Sequence, residues 1–160
     1  MDCSEGLDGV DRPFTFAVLG DTHFALPKSP EEADEGRPVL RPLAAEQYAE
    51  NVNYALSPMM EAIKADSPAF VVLTGDFIEG HRDESLRKAE MQAGLDFFDS
   101  LGIPLLIARG NQDRHEAFAD TVLPYLSRGL GWQLEESYYF TDVAGCRLVI
   151  LDTTRWKRDG

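Results

Sequence analysis

Three apolar runs end in glycine and polar residues: Gly20-Asp21-Thr22-His23, Thr74-Gly75-Asp76 and Arg109-Gly110-Asn111-Gln112-Asp113. Oxygen donors from Asp and Asn, together with one imidazole nitrogen, make a ligand set for first-row divalent metals such as Mn, Fe, Zn or Ni. Taken singly, each stretch has a plainer reading, because Asp-x-His, Gly-Asp and Gly-Asn are all ordinary turn sequences. Together, each closing an apolar run in chain order, they favour a metal site at Asp21, His23, Asp76 and Asn111. If the three runs are also neighbours in space, Asp76, from the middle one, can bridge two ions. Such a pair would clamp a phosphate and activate a water for in-line attack.

The elements that must position these residues are legible in the hydrophobic pattern. Phe14 to Leu19, Phe70 to Thr74, Pro104 to Ala108 and Arg147 to Leu151 are strand candidates. Their continuous apolar runs are those of strands buried on both faces. Tyr138 to Thr141, a turn near Ala144-Gly145 and the last strand form a hairpin pattern. Three helical stretches separate the strands. In the first, Tyr48, Val52, Ala55, Met59 and Ile63 share a face, and Pro58 is expected to kink or split it, with Ser57 capping the second piece. The second has Asp83 as N-cap, Gly102 as stop, and Leu86, Ala89, Ala93, Phe97 and Leu101 as its apolar stripe. The third runs from His115 to about Leu126, with Phe118, Val122 and Tyr125 facing inward. Strand and helix alternate, which implies an α/β protein with parallel strands. In such sheets ligands bind beyond the carboxyl ends of the strands, where all three polar stretches lie. Ala25 to Pro42, with four prolines and four acids, forms a long loop after the first strand.

The chain has 160 residues and 28 acidic against 15 basic ones, a net charge of -13. Such a surface repels nucleic-acid backbones and excludes a general DNA- or RNA-binding module. It does not exclude a phosphorylated substrate, since bound cations would dominate the local field. No apolar window is long enough to span a membrane, and the acidic N-terminus does not resemble a signal peptide. Cys3 and Cys146 have no metal-type spacing and are read as thiols in a reducing, cytoplasmic setting. Residues 1–12 are expected to form a flexible tail, 13–154 the domain and 155–160 the C-terminal end. No Gly-x-Gly-x-x-Gly or Walker-type loop supports an unrelated nucleotide-binding domain.

The stretches "GDTH", "FVVLTGD" and "ARGNQD" resemble the first three signature blocks of the calcineurin-like metallophosphoesterases: Asp-x-His, Gly-Asp and Gly-Asn-His. The resemblance spans about Pro13 to Thr154. It implies an α/β, metallophosphoesterase-like β-sandwich flanked by helices, with two divalent metal ions. It also implies hydrolysis of a phosphomonoester or phosphodiester by a metal-bound hydroxide, on a phosphorylated small-molecule or nucleotide substrate. By the resemblance, Asp21 and His23 bind the first metal, Asp76 bridges, and Asn111 binds the second.

Two departures stand out. Gln112 occupies the place of the family's histidine, which assists protonation of the leaving group with support from an acid, here Glu79. Glutamine neither gives nor takes a proton near neutral pH, which favours substrates with good leaving groups. His115 is a candidate substitute, although it starts a helix. The family's later histidine blocks have no counterpart, because the chain's three histidines are His23, His81 and His115. Three helices cover one face of a sheet that needs cover on both. A fragment holding the first half of the fold is therefore expected, with a symmetric homodimer as the alternative. A binding or scaffold protein without turnover is the competing functional reading. Arg109 and Arg114 are weighed as phosphate contacts against structural arginines, and Trp132 and Trp156 as stacking platforms against packing residues.

Overall fold

The structure is a computed structural model that describes residue 7 and residues 13–26, 42–80 and 83–154, leaving aside the side chains of residues 42–49 and 51–53. The strands are β1 (Ala17–Leu19), β2 (Val71–Leu73), β3 (Leu105–Ile107), β4 (Tyr139–Val143) and β5 (Cys146–Ile150). Between them come α1 (Pro42–Asp66), α2 (Glu84–Asp99) and α3 (His115–Leu130). Each expected strand forms: β1, β2 and β3 are shorter than their apolar runs, β4 extends to Val143, and β5 is shifted by one residue toward Cys146.

β1, β2 and β3 form a parallel sheet in that order, with Leu19 opposite Leu73 and Leu73 opposite Ile107. β2 and β3 are the buried strands, as continuous Val, Leu and Ile side chains require. β4 and β5 pair antiparallel around Ala144-Gly145, both at positive φ (48° and 74°), as a tight hairpin turn needs. This hairpin meets the sheet through Tyr139. The Ile107 N–H donates to its hydroxyl at 2.8 Å, and the hydroxyl donates back to the Ile107 carbonyl at 3.2 Å. A β3 backbone edge is thereby satisfied by a side chain. Val18 on β1 is 56% exposed and Val149 on β5 is 60% exposed, so these strands carry apolar side chains toward solvent.

The helices correct the expected faces. α1 runs unbroken through Pro58, with no second start at Ser57. Its buried positions are Leu56, Met60 and Ile63, whereas Ala55 is exposed. Asp83 does cap α2, its carboxylate accepting from the Ser85 and Leu86 N–H groups. The buried face of α2, however, is Glu90, Met91, Gly94, Leu95 and Phe98, rotated by about one residue from the apolar stripe. Leu86 and Ala89 face solvent. The cause is Glu90, whose carboxylate is drawn inward by backbone donors on two loops, and Gly94. A β-carbon at Gly94 would sit 3.2 Å from Phe24 and Ile78, so the helix packs closely there. α3 continues through Pro124 to Leu130 and ends at Gly131, in the left-handed conformation. Tyr125 is half-buried and donates to Asp99 at 2.7 Å, tying α3 to α2.

Of the expected N-terminal tail, Leu7 is described and is buried in the core. The rest of that tail, most of the Ala25–Pro42 loop, the 155–160 end, Cys3, His81 and Trp156 lie outside the described residues, as do the side chains of Tyr48 and Val52. Cys146 opens β5 and is exposed. Among the described residues no helix is long and apolar enough to cross a membrane.

Candidate metal centre

Each parallel strand hands its polar residues to the same sheet edge, and strand pairing continues past the strands to place them. The Asp21 N–H donates to the Gly75 carbonyl (3.3 Å), that of His23 to the Asp76 carbonyl (3.0 Å), and that of Phe24 to the Phe77 carbonyl (2.8 Å). The two loops therefore run side by side. Within them Asp21, His23 and Asp76 all adopt positive φ (48°, 45° and 47°). That conformation costs a non-glycine residue on the order of 1–3 kcal/mol and persists only where the surroundings impose it. Its result is convergence: ligand atoms of Asp21, His23 and Asp76 all lie within 4.8 Å of one another. Asp21 is exposed, and the other two are half-buried.

The third loop closes on Asp76. The Gln112 N–H donates to Asp76 Oδ1 at 2.7 Å. Gly110 lies so near that a β-carbon there would collide with the Asp76 nitrogen and Oδ1. Asn111 stands between these two contacts and is exposed. Two carboxylates and an imidazole suit a first-row divalent cation.

Glu79 meets the ligand cluster directly. Its Oε2 lies 2.9 Å from Nδ1 of His23, and its side chain is almost wholly buried.

Three acids outside the first reading hold the loops. Glu90, fully buried, accepts from the Leu26 N–H (3.2 Å) and the Gly80 N–H (2.8 Å). Asp113, equally buried, accepts from the N–H groups of Gly110 (2.8 Å), Phe77 (3.4 Å) and Ile78 (3.3 Å). Burial pushes its carboxyl up to about 6, against the opposing pull of those donors. Its sequence signal is an acid three residues after a loop glycine, a spacing that suits a local side-chain-to-backbone bond. Asp152, just beyond β5, receives Arg109 Nε on Oδ2 (2.8 Å) and Nη2 on Oδ1 (3.1 Å). Arg109 is thus a structural arginine, with Nη1 donating also to the Asp113 carbonyl. The signal for Asp152 is a fourth strand ending in polar residues, Asp152-Thr153-Thr154.

The remaining candidates separate from the cluster. His115 begins α3, outside the ligand group, and its Nδ1 is buried without a hydrogen-bond partner among the described residues. Arg114 is exposed at the N-cap of the same helix. Trp132 is half exposed, 6.1 Å from the Phe140 ring, and lines a groove of about 430 Å³ against the hairpin.

A comparison with protein families matches residues 14–151 to the family described as calcineurin-like phosphoesterase. No curated protein matches the chain.

Proposed function

Because the chain belongs to the calcineurin-like phosphoesterases, we propose that it hydrolyses a phosphomonoester or phosphodiester with divalent metal held by Asp21, His23 and Asp76. The observation that carries this reading is the convergence of those three side chains within 4.8 Å, each on a backbone turned to positive φ. A second ion would rest on Asp76 and Asn111, giving the dinuclear arrangement usual in the family, with Mn, Fe, Zn or Ni as candidates. Metal in this site supplies charge neutralisation of the phosphate and activation of water.

The chain's own residues then set the substrate range. Gln112 is fixed beside Asp76 through its backbone N–H, and its amide can donate a hydrogen bond but cannot move a proton. The departing oxygen must therefore leave with little protonation, which favours aryl esters and other good leaving groups. Phosphorylated small molecules or nucleotides fit, and the net charge of -13 argues against nucleic-acid polymers.

A second reading, a metal-binding or scaffold protein without turnover, is motivated by Gln112. Hydrolysis of p-nitrophenyl phosphate and bis-p-nitrophenyl phosphate with added Mn²⁺ decides between them. Activity that disappears with EDTA and with Asp76→Asn supports the enzyme. Stoichiometric Mn²⁺ binding without turnover on either ester supports the second reading.

A further inference from the structure

Thr22, Glu79, Glu90, Asp113 and Ser137 are buried polar residues, and the side chain of each is bonded to a strand-end loop. Burying carboxylates in an otherwise apolar core is costly, and each needs a compensating set of donors. Asp113 spends its oxygens on backbone N–H groups. Glu79 differs, because it meets a side chain, and that side chain belongs to the ligand cluster.

We propose that Glu79 is a positioning residue for His23, holding the ring with its proton on Nδ1 so that Nε2 is the nitrogen offered to a cation. This inference rests on the metal reading of the site. The 2.9 Å contact requires a proton between Nδ1 and Oε2, and a carboxylate has none to give when ionised. Nδ1 is therefore the donor, and a neutral ring must carry its lone pair on Nε2. A carboxylate behind a ligating histidine fixes the tautomer and ring orientation and strengthens the ligand.

Glu90 extends the arrangement from α2. Its two oxygens accept from Leu26, just past the β1 loop, and from Gly80, the residue after Glu79. One buried carboxylate thus fixes the loop carrying His23 to the loop carrying Glu79. Glu79 itself donates its backbone N–H to the Phe24 carbonyl at 2.9 Å, one residue after His23. The pair is held on both sides, so the imidazole orientation is set before any cation arrives.

The test uses the full chain, ¹⁵N-labelled at histidine. Imidazole ¹⁵N shifts report the tautomer without metal, and Mn²⁺ titration by calorimetry reports affinity. Wild-type His23 should show the Nδ1–H tautomer. Glu79→Ala should lose that preference and bind Mn²⁺ about 10–100-fold more weakly. Glu79→Gln, which retains an acceptor, should recover part of the affinity. Glu79→Leu fills the same space and keeps the test decisive should the alanine variant fail to fold. Unchanged tautomer and Mn²⁺ affinity in the folded alanine or leucine variant would overturn the inference while leaving the metal reading intact. A wild-type chain that binds no Mn²⁺ would sink both, which separates the two failures.

Discussion

Arg109 and Asp152, 43 residues apart in sequence, are joined by two hydrogen bonds of 2.8 and 3.1 Å, with both side chains almost completely buried. The pair locks the end of β5 to the end of β3, and so holds the hairpin against the loop that carries Gly110 to Asp113. A buried pair tolerates replacement of both partners far better than loss of one. Asp152→Ala should therefore cost about 3–5 kcal/mol, because Arg109 is left charged and unpaired. Arg109→Met with Asp152→Leu should recover much of that loss. Urea unfolding of the single and double variants measures both, and a double-variant loss equal to the sum of the two single losses would refute a direct coupling.

The same pair sets an acid limit on the fold. Burial pushes the Asp152 carboxyl up, but hydrogen bonds from Ser137, Thr154 and Arg109 outweigh it and hold the group down at about 2, against an ordinary value of 3.8. Between those values the unfolded chain binds a proton that the folded chain does not. Stability therefore falls as the pH drops from about 4 toward 2, by at most about 2 kcal/mol. Thermal unfolding of wild type and Asp152→Asn across this window checks it. The wild type should lose more stability than the variant, and parallel curves would show that Asp152 is not responsible.

Gly110→Ala should damage the centre without replacing a ligand. The added methyl collides with the nitrogen and Oδ1 of Asp76, so the two loops must separate. A displacement of about 1 Å at a reacting site costs on the order of 10² in rate. Esterase activity and Mn²⁺ affinity should fall together, and wild-type values for both would show that the loops have slack.

Gln112→His should raise activity most on alkyl phosphates, by on the order of 10², because their leaving oxygens need a proton. Aryl esters should change little. The ratio of kcat/KM on the two substrate types is the measurement, and an equal change on both would mean that position 112 does not serve the leaving group.

Much of the site was visible in the sequence because metal ligation is a matter of residue type, and strand ends are marked locally by an apolar run meeting glycine and polar residues. Asp21, His23, Asp76 and the parallel direction of the strands all follow from such local signals. The buried face of α2 does not. Its apolar periodicity pointed to Leu86 and Ala89, but Glu90 turns inward to satisfy N–H groups of Leu26 and Gly80, which no helical pattern reveals.

The sequence by itself determined which donors exist and that one sheet edge would collect them, since both depend on composition and short-range order. Only the tertiary structure decided the pairing: Glu79 with His23, Arg109 with Asp152, and Asp113 with three backbone donors. It also decided the positive φ of Asp21, His23 and Asp76. The physical reason is that a buried charge takes whatever partner the fold brings within about 3 Å, and that proximity is fixed by chain crossings tens of residues long.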